Sequence, residues 1–576
     1  MQLDFDVPIP MDDGIVLRCD VFRPPGPGRF AALLSYGPYG KGLSFQEGYS
    51  SAWQLMARDF PDVLRGTSNR YQNWEVCDPE KWVPDGYVIV RVDSRGAGRS
   101  PGVIDHHSPR EIKDLHDCIE WAARQPWSNG KIGLNGISYY AVNQWRVAAM
   151  PPPHLAAVCI WEGYFDRYRD AARHGGILCS FTKNWQEMQV HTVQHGRGEH
   201  GPRSAVTGEL VCGPETLDDA ELAKNRAPIW RELSSRRLED VYYRERTADA
   251  ARITVPLLSA ANWGGQGLHL RGNIEGYLAA ASPQKWLEIH GGPHWAEFYT
   301  DYGVGLQKRF FGHFLKGEDT GWQRLPPVTL QVRHLDRFVE RAEQEWPLAR
   351  TDWTRLYLDL DRRALARREP AASSTLTYEP LGDGVDFSTG ALDAPIEITG
   401  PAAAKLFVAS ATSDADIFLV LRVFAPDGKE VVFHGAVDPH TPIAQGWLRA
   451  SHRKIDPARS KPWRPFHTHD ELMPLVPGKV AELDIEIWPT SIVVPAGFTL
   501  VLSVCGRDYE WQGAAATLSN MKNPMKGCGP FTHEEPDDRP QDIFGGTVTL
   551  HSRPGAAPFV LLPVIPARAG DSGGLA

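Results

Sequence analysis

"NGISYYAVNQW", residues 135–145, decides how this chain is read. Its centre, Gly136-Ile137-Ser138-Tyr139-Tyr140-Ala141, is one residue short of the G-x-S-x-G turn that lifts a serine out of a strand. The apolar run Lys131–Asn135 predicts a strand, and Tyr140–Met150 has helical composition and apolar spacing. A serine on such a strand-to-helix turn sits at the carboxyl end of its strand, where a second molecule can reach it. Tyr140 stands where that turn has its second glycine, and the small residue, Ala141, comes one position later. A buried serine in an ordinary turn would carry the same pentapeptide, so the reading depends on what lies elsewhere.

A serine hydroxyl is a weak nucleophile until a base takes its proton and an acid steadies the base. In "LEIHGGPHWAEF", residues 287–298, a strand-like run ends in a Gly-Gly-Pro turn that presents His294, well after Ser138 as the order serine, acid, histidine requires. His290, at the strand end, is the competing base. In "SYGPYG", residues 35–40, an early strand–loop junction presents Tyr39. Its phenol and the N–H of Tyr139 would make the two donors of an oxyanion hole. The glycines of "DSRGAGRS", residues 93–100, lack the spacing and the lysine of a phosphate loop and read as structural.

Around these motifs, residues 1–166 alternate strands with helices, which argues for a mostly parallel sheet covered by helices. Residues 167–250 are rich in Arg, Glu, Gln and Trp at helical spacing and read as a helical cap insertion. Strand texture returns in 251–320, the second part of the core. Residues 321–566 carry many short β runs, with a hairpin signal at Asp427-Gly428, and predict a jelly-roll β-sandwich. The tail, 567–576, is expected to be disordered. The fold class is therefore α/β, with an inserted helical cap and a C-terminal all-β domain.

Bulk properties narrow the function. At 576 residues the chain exceeds a single hydrophobic core. A net charge of −10 without a basic block argues against nucleic acid as a partner. No apolar run is long enough to span a membrane, the N-terminus shows no signal-peptide pattern, and the eight cysteines have no C-x-x-C spacing. Reduced thiols in a cytoplasmic protein are expected, with no metal and no cofactor. The nineteen tryptophans suggest aromatic-lined pockets, and a homo-oligomer stays open.

Together, "DGIVLRCDVFRP", "GPYGKG", "GYVIVRVDSRGAGRSPG", "NGKIGLNGISYYA", "HGGPHW", "GWLRASHRK" and "PLVPGKVAELDIEIWPTSIVVPAGFTLVLSV" resemble the peptidase S15 / CocE–NonD family of serine hydrolases, along nearly the whole chain. That group includes cocaine esterase, α-amino-acid ester hydrolases, glutaryl acylases and Xaa-Pro dipeptidyl-peptidases. The resemblance implies an α/β-hydrolase core with Ser138 as nucleophile, His294 as base, and Tyr39 with the Tyr139 amide as oxyanion hole.

One position departs from the pattern. Gly265, in Asn262-Trp263-Gly264-Gly265-Gln266, stands where the family has an Asp, and no carboxylate lies between Pro256 and Asn273. Glu162, ending "HLAAVCIWEG", occupies the slot after the next strand, where some α/β-hydrolases carry the acid; Asp166 is the alternative. Glu275 lies further along and is set aside. The expected function is hydrolysis of a small-molecule ester or amide through an acyl-enzyme on Ser138. The rival readings are an Xaa-Pro dipeptidyl-peptidase and a non-catalytic binding protein with a decayed site.

Overall fold

The computed structural model describes residues 1–522 and 524–566; the predicted tail, 567–576, lies outside them. Ten strands make the first sheet: β1 (Gln2–Pro10), β2 (Val16–Arg23), β3 (Phe30–Gly37), β4 (Tyr87–Asp93), β5 (Ser128–Ile137), β6 (Leu155–Trp161), then β9 (Leu257–Asn262), β10 (Lys285–His290), β11 (Val328–Arg333) and β12 (Phe338–Glu343). Between β6 and β9 lies a two-stranded hairpin of β7 (Arg173–His174) and β8 (Ile177–Leu178). The order across the first sheet is β1-β2-β4-β3-β5-β6-β9-β10-β11-β12. From β4 through β11 every neighbour is parallel, with antiparallel pairs at the two edges.

The inner strands are apolar on both faces because helices cover both. Every residue of β4 and of β9 is buried. The helix Pro109–Ala123 starts on Ser108, whose Oγ accepts the Glu111 N–H, with Pro109 at the first helical position. It buries Ile112, Leu115, Cys118, Ile119 and Ala122 against the sheet.

Two strands, Val328–Arg333 and Phe338–Glu343, fall on the other side of the expected boundary. Val328–Arg333, counted above with the C-terminal β domain, pairs in parallel with β10 and extends the first sheet. Its alternating burial is that of a strand near a sheet edge, which a hydropathy pattern cannot distinguish from a sandwich strand. The second sheet system begins at Asp352 and runs to Ile565, with twelve strands in a sandwich-like, largely antiparallel arrangement. Its longest pairing joins Ile396–Ser410 to Ala481–Val494. The Asp427-Gly428 hairpin is present, with Gly428 at φ 84° and the Ala425 N–H donating to the Lys429 carbonyl at 2.8 Å.

Between β6 and β9 the chain builds short helices, among them Phe181–Trp185, Asp219–Lys224 and Ile229–Ser235. This segment and the C-terminal domain meet over the carboxyl ends of β3, β5, β6, β9 and β10, where the loops carry the chemistry.

Candidate active site

Ser138 follows β5 and precedes the helix Tyr139–Ala148. Its backbone stands at φ 56°, ψ −115°, a conformation L-residues rarely adopt. Gly136, at φ 153°, is required on packing grounds, since a Cβ there would lie 2.5 Å from that of Tyr140. Glu75 (φ 62°) and Glu162 (φ 48°) also carry positive φ. The backbone ties these three together. The Ser138 N–H donates to the carbonyls of Trp161 and Glu162, each at 3.1 Å, and the Ile137 N–H donates to the Glu75 carbonyl at 2.9 Å. Strain concentrated at one point is held there by hydrogen bonds from the sheet.

Glu162, just past β6, lies fully buried against the histidine loop. Its Oε2 is 2.7 Å from Nδ1 of His294, and its Oε1 accepts from Asn262 Nδ2 and meets His290 Nε2, both at 3.2 Å. Nδ1 of His290 faces Glu288 at 2.7 Å. Glu75, His294, Glu162, His290 and Glu288 thus form one buried chain in which carboxylates and imidazoles alternate. Burial opposes the charge on Glu162, but His294 and His290 outweigh it and hold its pKa down at about 2. Burial likewise opposes charge on His294, and Glu162 followed by Glu75 outweighs it, raising that ring to about 10.

The structure corrects the expectation for the other face of His294. Nε2 contacts Glu75 Oε1 at 2.9 Å instead of Ser138. The ring on Ser138 is His269, whose Nε2 is 3.1 Å from Oγ. The two rings stack, with centroids 5.5 Å apart and planes 14° from parallel. Nδ1 of His269 accepts the Tyr164 N–H at 3.1 Å, so the proton of the neutral ring is on Nε2 and points at Oγ. Burial, with His294 nearby, lowers the pKa of His269 well below its ordinary value, keeping that ring neutral. His269 in this state is a donor to the serine oxygen and has no lone pair there to receive its proton.

The other candidates fall into place one by one. Tyr39 accepts a hydrogen bond from Trp185 Nε1 at 3.1 Å, which leaves its own hydroxyl proton to point elsewhere. The Tyr139 N–H begins the helix and by position has no intrahelical carbonyl. His290 has both nitrogens on carboxylates behind Glu162 and does not face the pocket. Asp166 caps the turn that follows it and pairs with Arg169 at 2.8 Å, while Glu275 pairs with Arg464. Gly265 adjoins the pocket, and a Cβ there would lie 3.1 Å from the Asn262 carbonyl. At Gly264 a Cβ would lie 2.2 Å from Cα of Gly435, so that turn is shaped by contact with the C-terminal domain.

Sequence reasoning missed His269 and Glu75. His269 stands four residues beyond Gly265, and its position by sequence alone does not tell that it faces Ser138. Glu75, in "YQNWEVCDP", lies in a segment without periodicity. Burial pushes its carboxyl up to about 7 against the opposing pull of His294, and its Oε2 has no hydrogen-bond partner among the described residues.

The pocket over Ser138 is a slot of about 30 Å³. The inserted segment contributes Phe181 and Trp185 to its wall, and the C-terminal domain contributes Val437, Met521 and Phe531. The His294 loop is itself tied to that domain, its N–H donating to the Ala436 carbonyl at 2.7 Å.

A parallel sheet of this order, with a strained serine turn and a histidine–carboxylate loop at its carboxyl edge, defines an α/β-hydrolase. Residues 13–296 match the family described as X-Pro dipeptidyl-peptidase (S15 family), and residues 320–527 match its C-terminal non-catalytic domain. The chain belongs to this family of serine hydrolases, in the CocE/NonD group. A CocE/NonD family hydrolase from Staphylococcus aureus is 29% identical, covers 98% of this chain and 94% of its own, and superposes with a TM-score of 0.83. The cocaine esterase of a Rhodococcus species is 25% identical over 88% of this chain and 90% of its own. An aminopeptidase from a marine-sediment thaumarchaeote shares the fold, with a TM-score of 0.68 at 16% identity, over 98% of this chain and 96% of its own. The protein is a serine hydrolase.

Proposed function

We propose that Ser138 is the nucleophile, His294 the general base, and Glu162 the acid that takes the place of the carboxylate missing at Gly265. The observation that carries the assignment is the 2.7 Å contact between Glu162 Oε2 and His294 Nδ1 behind a pocket that Ser138 and His294 share. Glu162 fixes the His294 tautomer with the proton on Nδ1 and stabilises the imidazolium once Nε2 is protonated. His269 donates to Oγ, which orients the serine and leaves its hydroxyl proton free to turn toward His294. Substrate entry requires His294 Nε2 to exchange Glu75 for Ser138, and a protonated Glu75, its carboxyl raised by burial, is the form that lets go without stranding a charge.

The acyl carbon is attacked by Oγ, and the developing oxyanion is met by the Tyr39 hydroxyl and the Tyr139 N–H at the helix N-terminus. His294 passes its proton to the leaving group. Water, deprotonated by the same ring, then releases the acid and regenerates Ser138.

The aromatic and aliphatic pocket wall favours an uncharged ester with an apolar acyl or alkyl group. An Xaa-Pro dipeptidyl-peptidase would need an ionised carboxylate to hold the substrate's α-amine, and the carboxylate in this pocket, Glu75, is raised by burial and neutral in the form that releases His294. We place the protein in the cytoplasm, on the evidence of eight unpaired cysteines. Among the described residues no helix is long and apolar enough to cross a membrane.

A fluorophosphonate probe, followed by a panel of neutral esters, amides and Xaa-Pro peptides, tests the proposal. Labelling that disappears in Ser138→Ala, with ester turnover exceeding Xaa-Pro cleavage, is the expected result. Labelling that persists in Ser138→Ala removes the nucleophile, and faster Xaa-Pro cleavage removes the substrate class.

A further inference from the structure

Behind the pocket wall, two short segments run side by side. One is Cys179–Phe181 from the inserted region, the other Phe531–His533 from the C-terminal domain. The Ser180 N–H donates to the Thr532 carbonyl at 2.9 Å, and the Phe181 and Phe531 rings, both in the pocket wall, lie 5.1 Å apart. At the far end of this seam His174, Cys179 and His533 converge, all buried, with one donor atom from each within 4.8 Å of the others.

The outward-facing nitrogens of the two histidines are already spoken for. His533 Nδ1 is 2.7 Å from Asp508 Oδ1, and His174 Nε2 is 3.2 Å from the Asp170 carbonyl. Both partners are acceptors, and in the tautomers that satisfy both, each ring spends its proton outward. The inner nitrogens, His174 Nδ1 and His533 Nε2, then face each other at 2.8 Å. Two bare lone pairs at that distance repel. The arrangement is satisfied by a third proton between the rings or by one cation that accepts both lone pairs. An imidazole oriented from behind by a carboxylate or carbonyl is the usual setting of a metal-ligating histidine.

We propose that His174, Cys179 and His533 form a binding site for one zinc-type divalent cation, which joins the inserted region to the C-terminal domain behind the pocket wall. Two imidazoles and a thiolate suit borderline or soft metals and are unsuited to calcium or magnesium. On binding, the cation displaces the thiol proton, and its two positive charges are offset by the thiolate and the Asp508 carboxylate, so no net charge is buried. Zinc–nitrogen bonds of roughly 2.0–2.1 Å at a tetrahedral angle need the ring nitrogens to open to about 3.3 Å, a small adjustment.

The test is a Co²⁺ titration of the full-length protein after removal of bound metal by a chelator, under reducing conditions. One equivalent is expected to give a thiolate-to-cobalt band in the near ultraviolet and the strong visible bands of a low-coordinate site, both abolished by stoichiometric Zn²⁺. Cys179→Ser should lose the thiolate band. Asp508→Asn, which removes the carboxylate that holds both Nδ1 and the backbone N–H of His533, should keep the band while affinity weakens about 10–100-fold. A wild-type protein that gives no thiolate band overturns the proposal, as does a band that survives in Cys179→Ser. If Cys179→Ser does not fold, the decision rests on Asp508→Asn, where unchanged affinity counts against the site.

Discussion

Replacing Glu162 by Gln tests the acid directly, because the amide matches the carboxylate in size and differs in what it can accept. The carboxylate takes three hydrogen-bond contacts: His294 Nδ1 at 2.7 Å, and Asn262 Nδ2 and His290 Nε2 at 3.2 Å each. An amide offers one acceptor oxygen and an NH₂ group. If its oxygen stays on His294, the NH₂ confronts two donors; if it turns to them, His294 is pushed into the tautomer with Nε2 protonated and cannot take the serine proton. Either way the imidazolium formed in the transition state loses its counter-charge. Losing an acid in this position should lower kcat by about 10³–10⁴, or about 4–5.5 kcal/mol of barrier. The assay is steady-state hydrolysis of a neutral ester together with the rate of fluorophosphonate labelling, with circular dichroism confirming the fold. A folded Glu162→Gln protein that loses less than about tenfold in kcat would falsify the role assigned to Glu162.

Other expectations follow from the same contacts. His269→Gln should cost on the order of tenfold in kcat, the worth of one hydrogen bond to Oγ, whereas His294→Gln should cost on the order of 10⁵; a reversed ranking in the same assay would make His269 the base. Glu75 is one of the carboxylates that hold the His294 pKa up, so Glu75→Gln should move the acid limb of the kcat/KM profile to lower pH, and an unmoved limb would detach Glu75 from the base. Tyr39→Phe should lower kcat by about 10²–10³ with KM little changed, and an effect confined to KM would reduce Tyr39 to a substrate contact. Ser138→Gly should abolish turnover yet raise stability by about 1 kcal/mol in denaturant titration, since glycine adopts φ 56° without strain; a less stable variant would mean that the turn is not strained. The Glu162 pKa is depressed, so its stabilising contribution should be present above about pH 4.5 and fade as pH falls toward about 2, visible as a steep acid-unfolding limb that Glu162→Gln flattens.

What the sequence determined by itself was whatever depends on neighbours along the chain. Strand β5, the Ser138 turn and the helix after it follow from local apolar patterning and one obligatory glycine, and the Gly-Gly-Pro turn marks His294 in the same way. The parallel sheet followed from alternating strand and helix periods, and Glu162 could be singled out because a missing carboxylate at Gly265 leaves a definite topological slot to fill. Where β11 belongs was decided only by tertiary structure, since its pairing with β10 is a hydrogen-bond choice that hydropathy does not encode. The same holds for the surroundings of His294. Glu75 reaches it across 219 residues, from a segment with no periodic signal, and His269, at the start of the helix Leu270–Ala279, reaches Ser138 across 131. What His269 presents to the serine depends on a single backbone N–H, that of Tyr164, which holds the His269 proton on Nε2. A chemical role of that kind belongs to the arrangement of donors and acceptors in space, and residue order alone does not contain it.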